Sequence, residues 1–247
     1  MKKIINTILN VLYPRRCPVC HKILKDQKML SCPECSYGFK RVGKHYCLKC
    51  GKPVNAEEEY CRECRKRKRS FDLCRSVFLY DGSLRQSLVR YKYYGCREYG
   101  EFYAASMCRY LGNDILRWNP DVIVPIPMTS KKKRKRGFNQ SAYLADRIGE
   151  GMNLPVSHTL LKKVCSTRSQ KKLNAAQRRQ NLRTAFEVKE DISGLTVLVV
   201  DDVYTTGGGF LSEGFRGRKS LLYFIMYGPY LRKKRKTLFM DNDICYN

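Results

Sequence analysis

The chain has 247 residues, of which 43% are hydrophobic and 29% are charged, a composition typical of one folded core with a small appendage. No window approaches the roughly 18 uninterrupted apolar residues of a membrane-spanning helix, so we predict no transmembrane segment. A formal net charge of +27 favours anionic partners such as phosphorylated metabolites, RNA or DNA, unless the charge serves solubility alone.

The first segment, MKKIINTILNVLYP, begins with a basic stretch and interrupts its apolar residues with Asn6 and Asn10. No small-residue cleavage site follows it before Cys17. The pattern is therefore typical of an amphipathic packing segment rather than of a signal peptide. On this basis we expect a cytoplasmic protein.

Eight of the thirteen cysteines form four Cys-x-x-Cys pairs in the first 64 residues. Each pair aims two thiolates at one metal ion, and two pairs complete a tetrahedral zinc site, so zinc is favoured over disulfides. Sequential pairing is the simplest connectivity, although the spacing also allows a crossed one. The predicted ligands are Cys17, Cys20, Cys32 and Cys35 for one ion and Cys47, Cys50, Cys61 and Cys64 for the other.

Zinc in these sites is predicted to be structural, because four thiolates leave no open coordination position for water or substrate. A short segment with few large apolar residues needs the metal to fold. The basic run CRECRKRKRS at its end is either a nucleic-acid-binding surface or a solvated linker.

Strands and helices alternate after residue 70, which predicts an α/β fold with a mostly parallel sheet flanked by helices. The predicted strands are SVFLYDG, DVIVPIP and LTVLVV, with SLLYFIMY as a further candidate. The predicted helices are SLRQSLVRYKYYG, with Leu84, Leu88 and Tyr91 at helical spacing; EYGEFYAASMCRYLGNDILRW, broken or ended near Gly112; FNQSAYLADRIGEGM, closed by glycine; and NAAQRRQNLRTAF.

The stretch LVVDDVYTTGGG, residues 198–209, ends the clearest buried strand with two carboxylates, two threonines and three glycines. Ligands of parallel sheets bind beyond the carboxyl ends of the strands. Glycine backbone and threonine hydroxyls can cradle a phosphate, whereas paired carboxylates suit vicinal sugar hydroxyls or a Mg²⁺ ion. The chemistry indicates a sugar that bears both hydroxyls and a phosphate.

VLVVDDVYTTGGG resembles the phosphoribosyl pyrophosphate (PRPP) loop of type I phosphoribosyltransferases. YDGSLRQSLVRYKYYG, VPIP, RGFNQ and QRRQNLRTAF, following the cysteine pairs in that order, make the chain similar to the ComF family. The resemblance covers about residues 10–209. It implies a double zinc ribbon over 1–70, a type I phosphoribosyltransferase-like (glycosyltransferase) domain over 71–228 and an association with DNA uptake in competent bacteria. The composition of residues 229–247 predicts a basic, unstructured tail.

The resemblance also implies which residues form the site. Asp201 and Asp202 would hold the ribose hydroxyls, and Thr205, Thr206 and Gly207 would wrap the 5′-phosphate. The same PRPP loop would include Val203, Tyr204, Gly208 and Gly209. The pyrophosphate turn would involve Met128, Thr129 and Ser130, followed by Arg136, Gly137, Phe138, Asn139 and Gln140. A flexible loop over the site would include Arg168, Gln170, Arg178 and Asn181. Mg²⁺ would accompany PRPP, and no side-chain nucleophile is required.

The sequence departs from the family pattern after Gly207, where Gly208 and Gly209 replace a small residue and a phosphate-binding threonine. Gly214 and Gly217 interrupt the helix expected next, which suggests a frameshift or a degenerate C-terminus. Two functions therefore stay open. One is a PRPP-binding, enzyme-like protein; the other is a non-catalytic zinc-ribbon module that binds single-stranded DNA or a protein of the competence machinery.

Overall fold

The structure is a computed structural model that describes residues 13–66, 71–163, 186–192 and 194–203, and the backbone of a strand at 220–227. Its helices are α1 Arg62–Lys66, α2 Gly82–Tyr93, α3 Tyr99–Trp118, α4 Ser130–Arg136 and α5 Gln140–Met152. Its strands are β1 Leu73–Leu79, β2 Val122–Pro125, β3 Leu161–Lys163, β4 Phe186–Val188, β5 Val197–Asp201 and β6 Ser220–Tyr227.

Four strands form a parallel sheet in the order β1-β6-β5-β2, as the alternation of strands and helices predicts. The four residues Val197 to Val200 of β5 are fully buried, which explains why this strand has a continuous apolar sequence rather than an alternating one. SLLYFIMY is confirmed as a strand, β6, and it pairs with β1 on one side and β5 on the other. The carboxyl end of β5 therefore lies between two neighbouring strands.

Helix α2 follows β1 after a short turn and packs against the core through the face predicted for it. The carboxylate of Asp81 caps the helix by accepting a hydrogen bond from the Leu84 backbone N–H at 2.9 Å. Leu84, Leu88 and Tyr91 are buried, as their spacing predicts. Its last turn brings polar side chains to the carboxyl edge of the sheet.

The prediction that helix α3 breaks near Gly112 is wrong, because the helix runs without interruption from Tyr99 to Trp118. Gly112 is buried, and Met152 of α5 is the nearest neighbour of a Cβ built there, at 3.8 Å. The packing of α3 against the core outweighs the roughly 1 kcal/mol by which glycine disfavours a helix. The helix ends instead at Asn119, which adopts a left-handed conformation with φ of 45°.

The prediction that glycine closes helix α5 is also wrong, since Asn153, with φ of 53°, is the residue beyond its last turn. Gly149 lies inside the helix and serves a packing role there. A Cβ at this position would lie 2.5 Å from Cγ2 of Val156 and 2.8 Å from the Leu154 carbonyl oxygen. Glycine is therefore required where the chain turns back against the helix.

The cysteine-rich segment covers the free edge of strand β1. Residues 40–42 run antiparallel to β1, with the Leu79 N–H donating to the Lys40 carbonyl at 2.8 Å and the Val42 N–H donating to the Val77 carbonyl at 2.9 Å. Phe39 packs edge-on against Phe78 at a centroid distance of 5.6 Å. The segment thereby satisfies backbone groups that an open sheet edge would expose.

Candidate functional site

Two adjacent carboxylates lie at the carboxyl end of β5, each held by a partner from a different helix. One oxygen of Asp201 accepts hydrogen bonds from the Ser141 hydroxyl and from the Asp202 backbone N–H, both at 2.8 Å. Asp202 is buried, and its Oδ2 lies 2.5 Å from Nζ of Lys92. Helices α2 and α5 thus fix both side chains at one edge of the sheet.

The two carboxylates occupy different electrostatic environments. Burial, and then the negative charge of Asp202, raise the pKa of Asp201, while the hydrogen bond from Ser141 acts in the opposite direction. Asp202 has an ammonium group as its partner, whereas the side-chain partner of Asp201 is a neutral hydroxyl. The pair therefore combines a charge-balanced acceptor with a carboxyl group that takes up a proton more readily than an ordinary aspartate.

The start of helix α5 brings more of the predicted site residues to this edge. Asn139 caps the helix by accepting from the Ser141 N–H at 3.1 Å, and its amide donates to the Ile126 carbonyl at 3.0 Å, beyond the end of β2. Arg136 donates to Oε1 of Gln140 at 3.1 Å and to the hydroxyl of Tyr93 at 2.8 Å. These bonds join the turns that follow β2 to the helix that holds Asp201.

Gln140 is almost completely buried, with 1% of its surface exposed. Within the described part of the chain, its Nε2 has no hydrogen-bond partner. A buried amide donor without a partner costs about 1–3 kcal/mol of stability. A hydrogen-bond acceptor placed beside Nε2 would offset that cost.

The remaining predicted residues have no described side-chain contact with Asp201 or Asp202, or lie outside the described residues. Thr129 caps the short helix α4 by accepting from the Lys132 N–H at 3.4 Å, Met128 precedes it, and Gly137 ends that helix with φ of 80°. Val203 packs against the main core. The other predicted loop positions lie outside the described residues: Tyr204, Thr205, Thr206, Gly207, Gly208, Gly209, Arg168, Gln170, Arg178 and Asn181.

Three side chains at this edge escape prediction from sequence. Lys92 lies in the last turn of α2, Ser141 in the first turn of α5 and Lys163 at the end of β3. Burial and the charge of Lys132 lower the pKa of Lys163 to about 8, and Asp201 opposes that shift. The only signal in the sequence is that Lys92 and Ser141 are polar residues near the ends of predicted helices, whereas no predicted element contains Lys163.

The eight paired cysteines form two clusters, and the pairing is sequential as the simplest connectivity predicts. All four sulfurs of each cluster lie within 4.8 Å of one another. The Sγ atoms of Cys20 and Cys32 are 3.6 Å apart and those of Cys50 and Cys61 are 3.7 Å apart. A tetrahedral zinc ion with Zn–S bonds of 2.3 Å requires about 3.8 Å between sulfurs. Both clusters therefore fit structural Zn²⁺.

The clusters differ in burial. In the first, which contains Cys17, Cys20, Cys32 and Cys35, only Cys17 is buried and Cys20 is exposed. In the second, which contains Cys47, Cys50, Cys61 and Cys64, the first three are buried in one apolar cluster with residues of β2 and β5. The second cluster is thus part of the core of the sheet, whereas the first lies nearer the surface.

Comparison with known proteins agrees with this architecture. A family model described as a double zinc ribbon domain matches residues 8–65. The chain is 30% identical over 192 residues to competence protein ComFC of Bacillus subtilis, a match that covers 74% of each protein. The chain belongs to the ComF family.

Other members of the ComF family resemble the chain over a similar length. Competence protein F of Haemophilus influenzae is 28% identical over 200 residues, 78% of this chain and 86% of that protein. The DNA utilization protein YhgH of Escherichia coli K12 is 26% identical over 201 residues, again 78% of this chain and 86% of that protein. Among the described residues, every helix is too short or too polar to cross a membrane.

Proposed function

We propose that this ComF protein binds a phosphoribosyl ligand, PRPP or ribose 5-phosphate, at the carboxyl end of β5, and that it acts in DNA uptake. The observation that supports the proposal is the pair Asp201 and Asp202, which Ser141 and Lys92 hold side by side at that edge. Two adjacent carboxylates provide the acceptors that a 2′,3′-diol needs. Charged acceptors form hydrogen bonds worth about 1.5–3 kcal/mol each.

The surroundings of the pair have the complementary charge for the phosphates. Lys163 supplies a cation from the end of β3, and Lys132 and Arg136 supply cations from helix α4. Thr205, Thr206 and Gly207 follow the pair in sequence, and we assign them to the 5′-phosphate. When PRPP is bound, Mg²⁺ supplies charge neutralisation of the pyrophosphate, and carboxylate oxygens are ligands that this ion accepts.

Calorimetry with PRPP and Mg²⁺ tests this function. Asp201→Asn combined with Asp202→Asn keeps the shape of the pair but removes its charge, and affinity should fall by about 1.5–3 kcal/mol. Asp146→Asn is the matched control, because Asp146 pairs with His158 at 2.8 Å and has no contact with the pair. Equal affinity of the wild type and the double variant would show that PRPP binds elsewhere, if at all.

A second candidate function is the binding of single-stranded DNA, either alone or with proteins of the competence machinery. The net charge of +27 and the run Lys131 to Arg136, which forms most of helix α4, favour it. The names of the relatives, competence protein and DNA utilization protein, point the same way. Binding that rests on phosphate contacts should weaken steeply with salt, and charge reversal at Lys131, Lys133 and Arg134 should weaken it for every DNA sequence alike. Affinity that is indifferent to salt would contradict this candidate.

A further inference from the structure

Arginine and aromatic side chains alternate on the surface formed by the α2–α3 turn and the start of helix α5. The guanidinium carbon of Arg97 lies 4.8 Å from the ring centroid of Tyr143 and 5.4 Å from that of Phe138. These two rings are themselves in edge-on contact at 6.2 Å. Arg97 is exposed and both rings are half-buried, so the guanidinium forms the outer layer of the stack.

The same turn adds two tyrosines. Tyr94 is 72% exposed. Tyr93 faces the guanidinium carbon of Arg136 at 4.9 Å. Together Tyr93, Tyr94, Arg97, Phe138 and Tyr143 are named the Arg97 surface. It borders the candidate site, because Tyr93 follows the lysine that pairs with Asp202, and Phe138 and Tyr143 flank Ser141 in sequence.

The guanidinium of Arg97 contacts aromatic rings, whereas the nearby carboxylates of Glu101 and Glu150 form ion pairs with other arginines. Within residues 13–66 and 71–163, no carboxylate forms an ion pair with Arg97. Glu101 pairs with Arg15 at 2.5 Å and accepts from the Tyr143 hydroxyl at 3.2 Å. Glu150 pairs with Arg147 at 2.6 Å. Burial raises the pKa of Glu98, which lies beside Arg97 in sequence.

We infer that the Arg97 surface binds single-stranded nucleic acid through its bases, an inference that rests on the second candidate function above. Aromatic rings and the plane of an arginine stack on unpaired bases, while the guanidinium N–H groups at the edge of the plane bind phosphate. Duplex DNA hides its base faces, and an acidic peptide needs charge but no exposed ring. Exposed Tyr94, in the same turn as Arg97, therefore fits a single strand better than either.

The experiment measures fluorescence anisotropy with two labelled 20-mers, oligo-dT and an abasic strand with the same number of phosphates. The wild type should bind oligo-dT more tightly than the abasic strand. Tyr94→Ala should weaken oligo-dT binding about 5- to 150-fold and leave abasic binding nearly unchanged, since one stacked base is lost. Arg97→Ala should also reduce the slope of log affinity against log salt by about 0.7, the value for one phosphate contact of a single strand.

Two substitutions are matched controls. Arg117→Ala removes the same charge from an exposed position at the end of helix α3, and Tyr37→Ala removes a tyrosine that is 81% exposed on the ribbon. Neither should alter the preference for oligo-dT over the abasic strand. Melting curves identify any variant that fails to fold, and Arg97→Lys, which keeps the charge without the plane, then replaces Arg97→Ala.

The outcomes separate this inference from the function on which it rests. If the wild type binds neither strand at low salt, DNA binding itself fails. If it binds both strands equally, or if Tyr37→Ala matches Tyr94→Ala, the protein binds DNA but the Arg97 surface is not where bases stack. Preference for oligo-dT that is lost in Tyr94→Ala and Arg97→Ala alone supports the inference.

Discussion

At the scale of single residues, the two neighbouring carboxylates of the candidate site have different side-chain partners. Lys92 neutralises Asp202 across 2.5 Å, whereas Asp201 is paired with a hydroxyl. Burial disfavours the charged form of Asp201, and no cation fully offsets this effect, so the pKa of Asp201 rises. Asp201 therefore lowers the stability of the folded protein at pH values above the ordinary pKa of an aspartate, about 3.9.

This asymmetry predicts how stability varies with pH. The folded state binds a proton at Asp201 that the unfolded state has already released, so this residue lowers stability as the pH rises above about 4 through its raised folded pKa. Asp201→Asn should therefore gain in melting temperature relative to the wild type between pH 4 and pH 8. The gain corresponds to about 1.4 kcal/mol for each unit by which the pKa is raised.

Thermal melts of the ligand-free protein at a series of pH values provide the measurement. Asp146→Asn serves as the control, because its carboxylate is on the surface beside His158, and its difference from wild type should vary much less. A difference between Asp201→Asn and wild type that is constant or shrinks with rising pH would contradict a raised pKa.

At the scale of elements, helix α3 contains two glycines that the structure uses in different ways. Gly100 lies beneath the ring of Tyr143, and a Cβ there would be 2.6 Å from Cε1 of that ring and 2.9 Å from the Tyr91 hydroxyl. Among the described residues, only Met152 comes within 4 Å of a Cβ built at Gly112, at 3.8 Å. Gly100 allows the ring of Tyr143 from helix α5 to pack closely against helix α3. Gly112 disfavours the helix and has room for a methyl group.

The two positions therefore predict opposite effects of the same substitution. Gly100→Ala should destabilise the protein by about 1–3 kcal/mol, because Tyr143 and Tyr91 have to move. Gly112→Ala should stabilise it by about 0.5–1 kcal/mol through the lower backbone entropy of alanine in a helix. Urea denaturation of both variants measures the differences, and a loss at Gly112 as large as that at Gly100 would show that the helix packs differently.

How far the sequence predicts these elements depends on the range of the interactions. The cysteine spacing predicts both clusters, and the apolar run of β5 predicts a buried parallel strand, because each pattern is local. The predicted break of α3 near Gly112 and the predicted glycine end of α5, which ends before Asn153, are both wrong. Packing against other elements determines where these helices end. Ser141 is missed as the partner of Asp201 because 60 residues separate them, and no periodicity encodes such a contact.

At the scale of the whole molecule, the second cysteine cluster and the sheet are parts of one apolar core. Cys47, Cys50 and Cys61 belong to the apolar cluster that contains Phe71 and Val199. Arg75 of β1 bonds to the Leu48 carbonyl at 3.2 Å and stacks over Tyr46 at 4.4 Å. The domain boundaries at residues 70 and 228 stay predictions. We propose that the second zinc site and the sheet unfold together even if residue 70 is a true boundary.

The unequal burial of the two clusters predicts unequal consequences of losing zinc. The wild type should contain two zinc ions per chain. Cys20→Ser and Cys50→Ser should each remove one, but Cys50→Ser should lower the melting temperature of the sheet further, because its cluster is part of that core. Cys108→Ser, outside both clusters, should keep both ions. Zinc analysis with thermal melts checks this, and equal melting temperatures for the two ligand variants would contradict a shared core.

We propose that the carboxylates at the end of β5 receive the hydroxyls of a phosphorylated ribose. The crystal structure of the protein with ribose 5-phosphate tests it most directly. We predict both ribose hydroxyls within hydrogen-bond distance, about 2.5–3.0 Å, of Asp201 and Asp202, with the phosphate toward residues 205–207. A ligand bound elsewhere, or a phosphate rather than the diol at the two aspartates, would contradict the claim.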